Sequence, residues 1–455
     1  PFLVGESDKD RGTWGYAVDP LGERTAWTDP KGQHFYATYD ALYRTLTRTE
    51  PDLFTQWTWG SSAASHNIGR LQSVCYGSGS TCTSSTNSQS NTYDSLGRLS
   101  QRVTAYPSWG SFTMTWQYSP TTGLLDTLTY PQSTSQKHLQ LKYTYQSGIL
   151  QSITDILDSP NITLWQANAE NPAGQITQET LGNGLVTSQA YDSVTQWLAS
   201  VQSGPGGGAS RQNQSFLYDE VGDVTQRQDN NLGLTENFYY DNDYRLSYST
   251  LNGTQNLSLT YDPMGDITSR SDVAGGATWT YDPVHLHQVT QAGSASYKYM
   301  YDANGNMKTR QGVSITWSSY NYPTYFSADA NGESVGFSYG ADRRAWYEQT
   351  NGSAGLEKMY DVDGLFDDVN SAGADDFRHY VYANGEPVAI VSRKSSGTTI
   401  HYLLSDHQGS IAAITDSTGA VVVGESFAAY GARRNPATWS GAPSATDLTT
   451  IAGIT

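Results

Sequence analysis

Short runs that alternate apolar and polar residues, punctuated by turn residues, recur between residues 215 and 310. They read Phe216-Leu217-Tyr218, Asn237-Phe238-Tyr239-Tyr240, Ser258-Leu259-Thr260-Tyr261, Trp279-Thr280-Tyr281 and Tyr299-Met300-Tyr301, each followed by Asp. Alternation in runs rich in aromatic and β-branched residues predicts strands. Tyr218, Tyr240, Tyr261, Tyr281 and Tyr301 set a period of 20 to 22 residues, which marks a repeat architecture.

One repeat carries its own turn chemistry. In Asp262-Pro263-Met264-Gly265 the Asp carboxylate is placed to accept backbone N–H groups ahead of it, Pro presets φ, and Gly relaxes the fourth position. Asp266-Ile267-Thr268-Ser269-Arg270 alternates again as the return strand. Each repeat is therefore predicted to be a β-hairpin. A lone hairpin is marginal in water, so stacked hairpins must share a continuous antiparallel sheet. The same turn is read at Asp94 and Gly97, Asp219 and Gly222, and Asp302 and Gly305.

Looser copies extend the pattern. Asp19-Pro20-Leu21-Gly22 and Asp29-Pro30-Lys31-Gly32 precede Tyr39-Asp40, where Ala41-Leu42-Tyr43-Arg44 replaces the Gly turn. Tyr118-Ser119-Pro120 with Gly123, and Tyr145-Gln146-Ser147-Gly148, lose the Asp and keep a Gly. Leu181-Gly182-Asn183-Gly184 is a turn between repeats. A degenerate copy is expected around Tyr320 to Tyr325. Residues 76–92, rich in Ser, Thr, Gly and Asn, are predicted to be a flexible insertion loop. No long amphipathic helix is predicted.

The YDxxG pattern in constant register resembles the Rhs/YD-repeat family, which includes Rhs polymorphic toxins, Tc-toxin C components and the teneurin shell. A second stretch, from His401 to Trp439, resembles the opening of the Rhs-associated core: Asp406, His407, Gly409, Ser410, Thr415, Asp416, Gly419 and Gly431 match it. Ala428 departs from it, standing where the family has the turn Asp, and reads as a lost turn cap. The resemblance implies an all-β fold in which repeat hairpins form a long spiralling antiparallel sheet, a hollow shell or part of one. It implies a repeat shell over residues 1–400 and the start of the core over 401–455, ending before the family's self-cleaving aspartyl-protease segment. By the same resemblance the chain is a structural shell fragment that encapsulates and delivers a C-terminal toxin domain, which would be its cargo. It would come from a bacterial protein, exported or secreted, with secretion-apparatus components as further partners. The chain starts at Pro1 without an initiator Met, so it reads as a piece of something longer.

Charge narrows the partners. The formal net charge is -18, which repels nucleic-acid phosphates, and nucleic acid is not expected as a partner. No apolar run is long enough to span a bilayer. Cys75 and Cys82 form no CxxC motif, so zinc is not expected; a small disulfide loop and two free thiols both remain open.

Candidate chemistry is sparse. Asp406-His407 with Ser410 suggests a base and a nucleophile, but a triad needs a distant carboxylate, and the spacing equally suits a turn followed by a strand. Asp406 and Asp416 each precede a Gly by three residues, the spacing of the repeat turn. His285 and His287, if on a strand, share a face; a metal would need a third ligand. No catalytic residue, cofactor or metal is expected. Most tyrosines occupy the repeat position and read as a structural ladder. Trp57, Trp59, Trp109 and Trp116 lie off it, which leaves weak glycan binding and an alternative reading: an extracellular carbohydrate- or cell-surface-binding module. Runs such as Asp223-Val224-Thr225-Gln226-Arg227 carry few large apolar residues, so a polar-walled cavity is expected rather than a sandwich core.

Overall fold

The computed structural model describes residues 2–133, 138–158, 160–293, 298–352, 355–371 and 373–455. It is nearly all β, with 55% strand and 2% helix. Two compact units emerge: residues 1–116, 260–363 and 368–374 form one, and residues 117–259, 364–367 and 375–455 the other. Residue 400 lies inside the strand Gly397–Ser405, within the second unit.

In the first unit each strand from Gly5–Asp8 to Gly110–Tyr118 pairs antiparallel with the next along the chain. Its later strands continue the meander, from Tyr299–Tyr301 to Gly355–Val362. The second unit runs in the same way from Leu125–Thr129 to Thr254–Tyr261. Its C-terminal strands pair in sequence from Ala374–Ala383 to Val421–Gly424. Sequential pairing follows from the short turns, which leave each strand no nearer partner than its successor.

Alternation buries one face. In His34–Tyr39 only Phe35 and Ala37 are buried. The buried face mixes apolar and polar residues. Phe216, Phe238 and Leu257 share burial in the second unit with Arg227, Glu236 and Ser249. Some of the polar members pair with neighbours: Thr187 and Ser203 hydroxyls lie 2.6 Å apart, and Ser249 Oγ donates to Asn256 Oδ1 at 2.8 Å. Burial without loss of hydrogen bonding removes the desolvation penalty that would otherwise exclude them.

One expectation needs correction. Residues 76–92 are not one insertion loop. Tyr76 and Gly77 complete the strand Leu71–Gly77, and Asn87–Tyr93 pairs with it. Backbone pairing needs no apolar side chain, and Asn91 closes the gap by donating from Nδ2 to the Leu71 carbonyl at 3.0 Å. A disulfide joins Cys75 to Cys82 and ties down the segment between the strands. The C-terminus carries one short helix, Ala445–Ala452. A capping box starts it: Ser444 accepts from the Asp447 amide and Asp447 reaches back to the Ser444 amide, a signal present in the sequence as Ser-x-x-Asp. Ile451 and Ile454 then pack with Ile390, Leu403, Ile414 and Val423.

Candidate functional site

The repeat turn is one local device used many times. Asp219 Oδ1 accepts the amides of Val221 (3.0 Å) and Asp223 (2.9 Å). Asp262 does the same for Met264 and Asp266, Asp302 for Asn304 and Asn306, Asp94 for Leu96 and Arg98, and Asp406 for Gln408 and Ser410. The residue three after each Asp stands in the left-handed region; Gly222 has φ 97° and Gly305 φ 83°. At Gly305 a Cβ would also sit 2.8 Å from the Asp10 carbonyl oxygen. Tyr43 and Tyr244 take this position at φ 62° and 59°, a conformation that costs an L-residue roughly 1–2 kcal/mol. In both turns the following arginine, Arg44 or Arg245, binds the turn Asp through Nε.

Some turn carboxylates are also paired. Burial pushes Asp94 up, but the Arg98 guanidinium and the turn amides outweigh it and hold the carboxyl below its ordinary value. Lys31 and the Asn306 amide do the same against the burial of Asp302.

The repeat aromatic has a second role that the period alone does not reveal. Each strand shifts register at this residue, as between Leu217 and Tyr218 or Thr280 and Tyr281, so the strand bulges and turns the ring. Its hydroxyl then donates to the first residues of an earlier strand. Tyr218 reaches the Leu198 carbonyl at 2.9 Å, Tyr240 that of Val224 at 2.8 Å, and Tyr281 that of Ile267 at 2.7 Å. Burial pushes the Tyr240 and Tyr281 phenols up to about 12, so both remain donors at neutral pH. Trp59 was placed off the repeat by its sequence; it occupies the repeat position, with Nε1 donating to the Thr45 carbonyl at 2.9 Å. Trp317 does the same to Met307 at 2.7 Å. The degenerate copy therefore centres on Trp317 and Ser318, whose Oγ accepts the Tyr322 amide, rather than on Tyr320 to Tyr325.

The other candidates are engaged in packing. Trp57 lies under Arg48, and Trp109 stacks on Tyr360 at 4.4 Å while donating to Asp368 at 2.7 Å; Trp116 is half-buried. His285 and His287 are not on a strand but in the turn between Trp279–Tyr281 and Val289–Ala292. There His285 bonds the Lys9 carbonyl and His287 Nδ1 lies 2.9 Å from Asp266, whose carboxylate pushes the His287 pKa up. Asp406, His407 and Ser410 form the turn before Ile411–Thr415, and the His407 ring packs on Phe216 at 4.3 Å. Burial pushes His407 down. Among the described residues no group of three or more His, Cys, Asp or Glu side chains could hold a metal ion. No helix there is long and apolar enough to cross a membrane.

A buried ion-pair network in the second unit was not anticipated. Glu236, 1% exposed, receives Arg434 at two points, 3.0 and 2.8 Å, Arg227 Nε at 2.8 Å and Asn256 Nδ2 at 3.0 Å. Arg227 and Arg434 both face the Trp439 ring. One signal was in the sequence: Leu234, Glu236 and Phe238 share a strand face, so a charge falls in an apolar row.

Hairpins closed by an Asp and hung on an earlier strand by the aromatic before it define a YD-repeat sheet protein. The sequence profile of the teneurin YD-shell matches residues 174–435, more than half of the chain, and the chain belongs to that family. Solved structures with this fold include TcdB2-TccC3-Cdc42, with a TM-score of 0.79 and 16% identity over 98% of this chain and 25% of that one. TcdB2-TccC3 without its hypervariable C-terminal region gives 0.79 and 15% over 98% and 25%. A Photorhabdus luminescens Tc holotoxin pore with a mutated TccC3 gives 0.68 and 15% over 96% and 25%. At this identity the likeness is one of fold, and this chain spans a quarter of the length of those chains. No curated protein matches.

Proposed function

We propose that this chain is a section of shell wall from an Rhs-type polymorphic toxin, exported from a bacterial cell, whose complete form encloses a C-terminal toxin domain. The observation that carries the reading is the YD-shell family match over 174–435, which takes in, near its C-terminal end, the core-like stretch Asp406–Gly431 with its turn residues. In this reading residues 1–400 are wall and 401–455 open the core that leads to the cargo. Self-cleavage belongs to a segment further along than Thr455, and this stretch contributes structure rather than turnover. Components of a secretion apparatus would engage the complete protein. A wall needs many equivalent, locally closed hairpins that tolerate polar residues on the buried face, which is what the turn and aromatic ladder provide.

The test uses the complete protein. Its C-terminal domain should copurify with the wall and resist added protease until the wall is denatured. Digestion of that domain in the native protein, at the rate of the isolated domain, would overturn the reading.

A further inference from the structure

A groove of about 760 Å³ opens in the first unit, within the size range of small-ligand sites. One wall is aromatic: Tyr320, Phe337, Tyr339 and Trp346, with Tyr76 at the base. The other is the Ser-Gly-Ser-Thr segment that follows Gly77, with Ser78, Ser80 and Thr81, and Thr83 just beyond Cys82. The Cys75–Cys82 disulfide closes this segment. Thr83 and Thr86 brace it further, the Thr86 hydroxyl donating to the Thr83 carbonyl at 2.7 Å.

The lining carries no Lys, Arg or His, and its sole carboxylate is Asp52. Both Asp52 oxygens are engaged by Ser319, from its amide at 2.7 Å and its hydroxyl at 2.5 Å. The aromatic wall is held in place: Trp346 stacks on Tyr106 at 4.7 Å, and Tyr339 meets Tyr320 edge-on while its hydroxyl donates to Pro323. Held rings and a braced row of hydroxyls and glycine amides lining one groove suit a ligand with one apolar C–H face and a rim of hydroxyls. A pyranose has that shape. Arg343 stacks on the Tyr320 ring at 3.7 Å but is engaged by Glu50, and no cation stands in the lining itself; on a chain of net charge -18 this disfavours uronates, sialates and sulfated sugars.

We propose that this groove binds a neutral oligosaccharide, a site distinct from the shell role. It relocates carbohydrate recognition from Trp57, Trp59, Trp109 and Trp116, which pack in the fold, to the face formed by Tyr320, Phe337, Tyr339 and Trp346. The disulfide sets the position of the hydroxyl wall, so binding should depend on the oxidised state.

The full chain would be applied to an array of neutral and acidic oligosaccharides, and hits titrated calorimetrically. Saturable binding of neutral glycans is expected, weakened at least about tenfold, or 1.4 kcal/mol, by Thr81→Trp, which fills the groove from an exposed position. Tyr320→Ala, with its melting point checked, and reduction of the disulfide should weaken it in the same way. No binding across the array, preference for acidic glycans, binding indifferent to Thr81→Trp, or occupation by an extended peptide instead would each overturn the proposal.

Discussion

Arg434 and Glu236, 198 residues apart in sequence, face each other at two points, Nη1 to Oε1 at 3.0 Å and Nη2 to Oε2 at 2.8 Å. Burial pushes the Glu236 carboxyl up, but Arg434 and Arg227 outweigh it and hold it below its ordinary value. Arg227 also donates to the Phe427 carbonyl. The segment around Arg434 is thereby pinned to the strands Val224–Asp229 and Leu234–Tyr240. Removing one partner strands the other charges in a buried site. Arg434→Met should cost about 3–5 kcal/mol in chemical denaturation. A double-mutant cycle with Glu236→Gln should show the two losses to be far from additive; additive losses would mean that the pair does not interact.

Acid should weaken the second unit through His379. This ring is fully buried, donates from Nδ1 to the Val391 carbonyl at 2.8 Å, and leaves Nε2 without a partner. Tyr130 and Phe366 box it edge-on, with Asp376 and Arg393 nearby. Burial pushes its pKa from 6.5 down to about 4. The unfolded chain therefore binds a proton that the folded chain refuses, and stability falls as pH drops from 6.5 toward 4. The loss is about 3 kcal/mol at roughly 1.4 kcal/mol per unit. His379→Gln keeps an N–H for Val391 and cannot titrate, so its stability should vary less across that window. An equal slope in both proteins would assign the acid effect elsewhere.

Each YD turn should contribute separately. Asp219→Ala, Asp262→Ala or Asp302→Ala removes the carboxylate oxygen that accepts two backbone amides, and each should cost on the order of 1 kcal/mol. Tyr218→Phe and Tyr240→Phe keep the ring and lose one hydrogen bond, with a similar penalty. Turns far apart should add, as independent sites do. Thermal or urea melts of the single and double variants test this, and a neutral Asp262→Ala would remove the capping role.

The turn at Ala428 offers the opposite experiment. Its backbone already closes as in the complete repeats, with Gly431 N–H donating to the Ala428 carbonyl at 2.9 Å and Gly431 at φ 79°. Only the side-chain acceptor is missing. Ala428→Asp should therefore stabilise the protein by about 0.5–1 kcal/mol, read as a higher denaturation midpoint. Destabilisation would show that the surroundings reject the carboxylate.

What the chain by itself determined was everything set by neighbours a few residues away. An Asp three residues before a Gly makes its hydrogen bonds within its own turn, so Asp94, Asp219, Asp262, Asp302 and Asp406 could be read without knowing what lies across the sheet. The period then dictated sequential antiparallel hairpins. Tertiary structure decided what the remaining side chains do, because that depends on which strands end up opposite one another. Trp59 looked like a spare aromatic until a register shift turned its indole toward the Thr45 carbonyl. His285 and His287 looked like a strand pair until a turn separated their partners into Lys9 and Asp266. Glu236, a charge between Leu234 and Phe238, drew no reading from the sequence; its partner Arg434 is brought to it only by the fold. Such contacts are worth several kcal/mol only when both partners are desolvated together, and no local pattern encodes that meeting.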